Sequence, residues 1–273
     1  MLFELHKSPK SWVKLVLALL PFAIAVIAYQ VGSEYRLSEN PRDKILPAFS
    51  QMFETFKSMM LVPDRRSGEL VLLTDIQSSL TRLMTGVGIA AAISLISGLM
   101  IGTYKGVYAL ANPALTFVSM IPPLSLLPVL FIVFGVGEAG KIGLIVIGVT
   151  PLITRDLVLY IRSLPVELTV KAQTLGLNRF QIAYKVMLPL SIPKLIDSCR
   201  LSLGASWLFL IAAEAIASQS GLGYRIFLLR RYLSMDGIVP YVITITIIGI
   251  TIDLLLRLIL TRTNQWYAGE SHD

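Results

Sequence analysis

Few residues in this sequence could bind a cofactor or take part in catalysis. The clearest motif of this kind lies at positions 135–141. The stretch GVGEAGK fits the dinucleotide-binding pattern G-x-G-x-x-G and also the first seven positions of a phosphate-binding loop. However, Ile142 stands where a phosphate-binding loop needs Ser or Thr to hold magnesium, and both patterns need a strand before them. Long apolar runs flank the stretch instead, so we interpret it as a glycine-rich turn between two helices.

The remaining reactive side chains do not form a catalytic set. His6 and His272 are the only histidines and lie at the two ends of the chain, while Cys199 is the only cysteine. A single cysteine cannot form an internal disulfide or a multi-cysteine metal site, and no Ser or Cys has a histidine at a plausible distance along the apolar runs. We therefore expect a non-catalytic protein with no bound metal or cofactor.

Two charged residues, Arg82 and Glu214, lie within apolar runs, where an ionised side chain is costly. Threading the chain through a bilayer puts each about one helical turn from the outer end of its run, at similar depth. Two interpretations stay open: the pair meets beside a path through the membrane, or each side chain reaches the headgroups independently.

The composition indicates the environment that positions these residues. The chain has 273 residues, of which 55% are hydrophobic and 15% charged, with a mean hydropathy of +0.72. Soluble domains carry about 25% charged residues. The sequence therefore predicts an all-α integral membrane protein embedded in lipid. Its net charge of +7 comes from Lys and Arg beside the apolar runs, as the positive-inside rule expects, so we expect no nucleic-acid binding.

About six transmembrane helices are predicted, at residues 12–32, 79–102, 111–134, 141–160, 196–217 and 239–260. The first run begins like a signal peptide, but its ~20 residues suit a retained span. Alternate threading puts both termini and the densest basic clusters in the cytoplasm. We divide the chain into an N-terminal helix with an extracytoplasmic segment, residues 1–75, and a core, residues 76–273.

Three local patterns refine this organisation. The amphipathic stretch 48–60 is too polar to span and should pack on neighbouring helices or lie at the bilayer surface. Gly98-x-x-x-Gly102 predicts a close helix approach. Pro122, Pro123 and Pro128 should kink the third span, where freed carbonyls need protein or a water-lined cavity around them.

Residues 165–193, which we call the knob, form a long basic and helix-patterned segment between apolar runs. We expect a first helix over 166–175, a turn at Gly176-Leu177-Asn178, and a second helix over 179–187 that Pro189 ends. Leu175, Leu177, Phe180 and Ile182 give the knob apolar side chains that so small an element cannot bury by itself. The pattern predicts docking into a groove of a partner.

The spacing of Ala172, Gly176 and Val186-Met187-Leu188-Pro189 resembles the cytoplasmic signature of ABC importer permeases. Val170-Lys171-Ala172 stands where that family has Glu-Ala-Ala, and Val186 where it has Ile. The stretches 119–138 and 201–226 are similar to the nitrate, sulfonate and taurine branch of these permeases. The resemblance covers residues 76–267.

This resemblance implies a type I ABC importer permease fold in the bacterial cytoplasmic membrane. It implies ABC ATPase subunits that hold ATP and magnesium, an extracytoplasmic substrate-binding protein and a second permease copy, with a homodimer as the most economical assembly and a different second permease as the alternative. The docking residues it implies are Lys171, Ala172, Leu175, Gly176, Arg179, Phe180, Ile182 and Pro189. Candidates for the translocation path are Ser119, Pro122, Pro123, Trp207, Glu214 and Arg82.

The expected function is transport of a small solute delivered by a binding protein, an oxyanion or zwitterion such as nitrate, a sulfonate or taurine. A urea-like or guanidine-like solute or a vitamin precursor is an alternative for the same kind of importer. Other classes are a stand-alone secondary transporter and a membrane anchor for a soluble enzyme. Secondary transporters commonly show broken helices in matching halves, and the sequence shows one proline-broken span without a counterpart, which favours the ATP-driven interpretation.

Overall fold

A computed structural model describes residues 11–40, 43–63 and 68–264; His6 and His272 lie outside these ranges. Within them the secondary structure is helical, with no strand. The helices are α1 Ser11–Glu39, α2 Phe49–Leu61, α3 Val71–Thr103, α4 Lys105–Ser119, a 3₁₀ turn Pro123–Leu126, α5 Leu127–Phe134, α6 Glu138–Ser163, α7 Val166–Thr174, α8 Arg179–Ile182, a π turn Ala183–Met187, α9 Leu188–Leu201, α10 Leu203–Ala217, α11 Leu222–Arg231 and α12 Met235–Thr263.

The spans agree in number with the sequence prediction. In the described ranges, α1, α3, α6 and α12 are each long and apolar enough to cross a membrane, and two bent helix pairs raise the number to six. The helices are longer than the apolar runs suggested, since α3 begins at Val71 and α6 at Glu138. Polar and charged side chains occupy these added turns, which hydropathy alone does not assign to a span.

The core forms where α3 and α6 pack side by side in parallel. Gly86 lies against Ile145, Gly98 against Leu157 and Gly102 against Ile161, and a Cβ on any of these glycines would come within 2.9 Å of the facing side chain. The close approach predicted for Gly98 and Gly102 is therefore confirmed. Because α3 and α6 run in the same direction, the chain between them must return across the membrane.

That return is made by α4 and α5, which meet at an angle of 82°. The break falls at residues 120–122, next to Pro122 and Pro123, which lack backbone donors, so the kink predicted there is confirmed. Pro128 lies in the first turn of α5, where proline is tolerated, and does not contribute to the bend. Of the glycine-rich turn predicted at residues 135–141, only residues 135–137 lie between the helices, with Gly135 at φ +78°, and residues 138–141 form the first turn of α6.

A second bent span corrects the sequence prediction. The helix of α8, the π turn and α9, Arg179–Leu201, meets α10 at 47° across Ser202. No proline causes this bend. The Ser202 hydroxyl donates to the Cys199 carbonyl at 3.0 Å and Gly204 follows, and Ser and Gly together are a recognised cause of helix kinks. The absence of a second broken span therefore cannot be used to separate importers from secondary transporters here.

The N-terminal helices lie at the edge of this core. In α1, the most apolar 18-residue window has no buried residue, and the helix end is held by Tyr29 and Ser33, whose hydroxyls donate to the Pro47 and Leu46 carbonyls at 2.8 and 2.9 Å. The amphipathic helix α2 buries Met52 and donates from the Thr55 hydroxyl to Asp236 of α12 at 2.9 Å. As predicted, α2 packs on a neighbouring helix.

Candidate functional site

The knob is shaped by a glycine turn between α7 and α8. Gly176 has φ +83°, its amide donates to the Gln173 carbonyl at 2.9 Å, and the Leu177 amide donates to the Ala172 carbonyl at 3.1 Å. These two bonds form a Schellman motif, which closes the C-terminus of α7. Residues with a Cβ rarely adopt this conformation, so Gly176 fixes the direction in which the chain leaves α7.

Asn178 begins the second helix of the knob with a capping box. Its Oδ1 accepts from the Gln181 amide at 2.8 Å, and Gln181 Oε1 accepts from the Asn178 amide at 2.9 Å. This reciprocal pair satisfies two amides that a helix start otherwise leaves without partners. Together with the Schellman motif, it holds the backbone of the knob by local hydrogen bonds.

The predicted docking residues divide into an outward-facing and a buried group. Leu175 is 79% exposed and Phe180 75% exposed, and the other outward-facing members are Lys171, Gly176, Arg179 and Pro189. In contrast, Ala172 and Ile182 are buried with Ile161 of α6. The prediction that Ala172 and Ile182 lie on the docking surface is wrong, because the ends of α3 and α6 lie alongside the knob and cover them.

The second helix of the knob does not end at Pro189, contrary to the sequence prediction. A π turn, Ala183–Met187, is followed directly by α9, and Pro189 lies in the first turn of α9. A π turn shifts the hydrogen-bond register by one residue, so the missing N–H of Pro189 falls where the register changes anyway. The knob is therefore continuous with a membrane span.

A buried charge network lies at the other end of α6, about 38 Å from the knob at 1.5 Å per residue. Glu214 is fully buried and accepts hydrogen bonds from the Ser79 hydroxyl, Arg82 Nη1 and the Gly223 amide, at 2.8, 2.7 and 2.8 Å. Of the two interpretations that the sequence left open, the structure shows the contact between Arg82 and Glu214. Arg82 lies about three turns inside α3, because α3 begins earlier than the apolar run, at Val71.

The loop between α10 and α11 closes over this network through glycines. Gly221 has φ +123°, and a Cβ at this position would come within 2.4 Å of the Glu214 carboxylate. The Gly221 amide donates to Asp75 Oδ1 at 2.8 Å, and the Leu222 amide donates to the Ser79 hydroxyl at 2.8 Å. Only glycine gives the backbone this close approach to a buried carboxylate.

Arg82 also holds a second carboxylate, at the outer edge of the network. Its Nε and Nη2 donate to Glu138 at 2.5 and 2.8 Å, and Lys141 Nζ donates to the same carboxylate at 2.9 Å. Lys141 donates further to the Ser218 hydroxyl at 3.2 Å. Two cations and two carboxylates thus join α3, α6 and α10.

A third carboxylate, Asp75, ties the remaining helices to this end of the molecule. Asp75 is buried and accepts from Arg225 Nε at 2.8 Å and from the Tyr241 hydroxyl at 2.9 Å. No sequence pattern marks these members of the network as parts of a common site: Asp75, Ser79, Glu138, Lys141, Gly221, Arg225 and Tyr241. A signal was present in part, because Gly221-Leu222-Gly223 follows the membrane carboxylate Glu214 closely.

The six path candidates lie in three separate places. Ser119 and Pro123 line a cavity of about 100 Å³ inside the bend between α4 and α5, and Pro122 lies at the break itself. Trp207 lines a different groove, between α10 and α12. Arg82 and Glu214 belong to the charge network. Their relation to a path through the membrane stays a prediction.

Comparison with known proteins identifies the family. A model of the binding-protein-dependent transport system inner membrane component family matches residues 94–268. The chain belongs to this family. A probable ABC transporter permease protein of Brucella melitensis is 32% identical over 92% of this chain and 96% of its own length. The taurine transport system permease protein of Escherichia coli is 29% identical over 81% of this chain and 80% of its own length.

Among solved structures, the MetNI methionine ABC transporter in an inward-facing conformation matches with a TM-score of 0.63. The match covers 73% of this permease and 99% of the solved chain at 19% identity, so it bears on the fold alone. The permease therefore has the type I importer fold. Its role as the membrane-spanning subunit of an ATP-driven importer follows from the family match and from the related ABC transporter permeases. Among the residues that the structure describes, no cluster of His, Cys, Asp or Glu could hold a metal ion.

Proposed function

We propose that the knob of the permease docks to an ABC ATPase subunit and transmits the closure of that subunit to the membrane spans. The observation that carries this proposal is the exposure of Leu175 and Phe180, 79% and 75%, on a backbone that local hydrogen bonds hold rigid. Large apolar side chains in that position have no partner surface within the knob itself, and a groove on a second protein would cover them.

The continuity of the knob with the membrane supports a mechanism for this transmission. The chain continues as helix from Arg179 to Leu201, so a displacement of Phe180 moves the start of a span directly. The bend at Ser202 and the π turn are two places where such a helix can change direction. The ATPase would hold ATP and magnesium, and hydrolysis of the ATP would reset the transport cycle.

The arrangement of charges supports an orientation in the bacterial cytoplasmic membrane with both termini inside. The knob end of the molecule carries a basic cluster: Lys105, Arg162, Lys171, Arg179, Lys185 and Lys194. Positive residues favour the cytoplasmic side, where ATP is available. The network end then faces outward, toward a substrate-binding protein. One knob per chain is consistent with two permease copies, most simply identical, above two ATPases.

For the substrate we propose a small oxyanion or zwitterion, such as a sulfonate, taurine or nitrate. Support comes from the taurine transport permease that is similar over most of this chain. Because a separate binding protein selects the solute in such systems, a thermal-shift screen of that protein against nitrate, methanesulfonate, taurine, urea and guanidine tests the proposal. A ligand that binds only the native protein raises its apparent stability. Stabilisation by urea or guanidine alone would contradict an oxyanion substrate.

The docking role is tested by replacing the exposed side chains singly and together, Leu175→Ala and Phe180→Ala. We expect the double variant to insert and fold normally, to copurify with at least tenfold less ATPase and to lose substrate-stimulated ATP hydrolysis. Tyr232→Ala is the matched control, since Tyr232 is 65% exposed at the other end of the molecule. Unchanged copurification and stimulation in the double variant would show that another surface docks the ATPase.

A further inference from the structure

Glu138 is an exposed carboxylate held by two buried cations. Its side chain is 58% exposed, whereas the side chains of Arg82 and Lys141 are 7% and 5% exposed. Three N–H groups of these cations point at its two oxygens, at 2.5, 2.8 and 2.9 Å. Lys and Arg side chains usually keep their charged ends in water. Here the anion can leave into water with little loss of packing, while the cations cannot.

The two cations have unequal support once Glu138 is set aside. Arg82 keeps Glu214 at 2.7 Å and the Ser220 carbonyl at 2.8 Å. Within the described part of the chain, Lys141 keeps only the Ser218 hydroxyl, at 3.2 Å. Without Glu138, the buried groups would be two cations, Arg82 and Lys141, and one carboxylate, Glu214. A buried cation without a counterion is strongly unfavourable, so this place requires an anion.

Space for such an anion exists beside the cations. A cavity of about 520 Å³ opens at this end of the permease, lined by Arg82, Lys141 and the Ser218–Ser220 loop together with Glu138. Its volume falls within the ~300–1,000 Å³ range of small-ligand pockets. A planar fork of guanidinium donors with an ammonium beside it matches the oxygens of a carboxylate or a sulfonate.

We propose that Arg82 and Lys141 form a binding site for a small oxyanion at the end of the permease away from the knob, and that Glu138 is a resident counterion which the solute displaces. This inference rests on the proposed function for the substrate class. In the proposed orientation, the site lies on the side opposite the ATPase, where an importer receives its solute. While the site is empty of solute, the Glu138 carboxylate keeps the buried cations neutralised.

Competition with Glu138 should weaken the apparent affinity for the solute. If Glu138 leaves the site open for only a fraction of the time, the apparent dissociation constant equals the intrinsic one divided by that fraction. The wild-type permease should therefore bind a free oxyanion weakly, and removal of the Glu138 carboxylate should strengthen the binding at least tenfold. Removal of Lys141 in addition should weaken it again, because only one of the two cations remains.

The test uses the full-length permease in lipid nanodiscs and follows its thermal unfolding as methanesulfonate is added. We expect Glu138→Ala to lower the apparent dissociation constant for methanesulfonate at least tenfold relative to wild type, and Glu138→Ala with Lys141→Gln to abolish that gain. Dimethyl sulfone, an uncharged molecule of similar size, should stabilise no variant. The double variant serves as the matched control for general salt effects.

A folded Glu138→Ala variant that responds to methanesulfonate no more than wild type would overturn the proposal, as would an equal response of the double variant. If Glu138→Ala does not fold, Glu138→Asp replaces it, since the shorter carboxylate keeps the charge but holds the cations less well. An unchanged affinity in Glu138→Asp would equally overturn the proposal. The assay uses the permease alone, whereas the screen for the substrate class uses the binding protein alone, so a failure of either proposal can be told from a failure of the other.

Discussion

The knob and the buried charge network lie at opposite ends of α6 and are stabilised by opposite means. In the knob, the shaping hydrogen bonds join residues at most five positions apart, and the large apolar side chains point outward. In the network, most hydrogen bonds join residues 56 to 166 positions apart, and Asp75, Arg82 and Glu214 are buried. We therefore expect a change to an outward-facing side chain of the knob to impair docking without unfolding the permease. A change in the network should instead first loosen the packing of the helices it joins, α3, α6, α10, α11 and α12.

The sharpest test of this contrast is Gly221→Ala in the network. Alanine at this position would have to adopt φ +123°, and its Cβ would lie within 2.4 Å of the Glu214 carboxylate. Strain and overpacking together should cost about 3–5 kcal/mol of folding free energy. We expect little folded protein after detergent extraction, measured by size-exclusion chromatography and thermal unfolding. Gly88→Ala is the control, because a Cβ at Gly88 has no atom within 4 Å. Equal stability of Gly221→Ala and Gly88→Ala would show that the network is not needed for the packing of the helices.

A somewhat smaller effect is expected for Glu214→Gln. This change leaves Arg82 buried beside a neutral amide, and breaking a buried pair in this way costs about 3 kcal/mol or more. Arg82 retains Glu138, which limits the loss. We expect lower thermal stability and impaired transport in proteoliposomes, and a partial recovery when Arg82→Gln is added to the same chain. A double-mutant cycle measures this coupling, and strictly additive losses would show that the contact contributes nothing of its own.

The same contrast explains what the sequence could predict. The turn at Gly176 was predictable because a glycine after a short helix acts within a few residues. The close approach of Gly98 and Gly102 and the kink at Pro122-Pro123 also depend on local spacing. In contrast, Asp75 meets Tyr241 only because α3 and α12 pack together, and no local pattern records that. The sequence places Glu138 only in a glycine-rich turn, because its partner Arg82 is 56 positions away along the chain.

Two wrong predictions have the same origin. The sequence predicts Ile182 on the docking surface because a small knob cannot bury it alone, yet Ile182 packs with Ile161 of α6 and Met187. It also predicts that Pro189 ends a helix because proline usually does, yet the π turn before Pro189 lets the helix continue. In each case the deciding feature, a neighbour from α6 or a change of hydrogen-bond register, leaves no mark in the spacing of residue types.

A third test moves to the knob. Gly176 has φ +83° with no atom near its missing Cβ, so Gly176→Val introduces backbone strain without a steric clash, about 1–3 kcal/mol and confined to the knob. We expect a folded, membrane-inserted permease whose complex loses substrate-stimulated ATP hydrolysis. Gly106→Val is the control, since Gly106 also faces open space but has no positive φ. Retention of both assembly and stimulation by Gly176→Val would show that this turn does not transmit the ATPase motion.

The smallest expected effect concerns the start of the second knob helix, at Asn178. Asn178→Ala removes the hydrogen bond from the Gln181 amide to Oδ1, and loss of such a cap costs about 1 kcal/mol. Because the bond is local, we expect the melting temperature of the whole permease to stay nearly unchanged. The amides of residues 179–182 should exchange with solvent about fivefold faster, as a local opening cost lower by that amount allows, and ATPase stimulation should fall partially. Asn178→Asp can also cap a helix and should restore both readouts. If Asn178→Ala instead lowers the stability of the whole permease as much as Glu214→Gln does, the knob is not the separately stabilised element that its hydrogen bonds indicate.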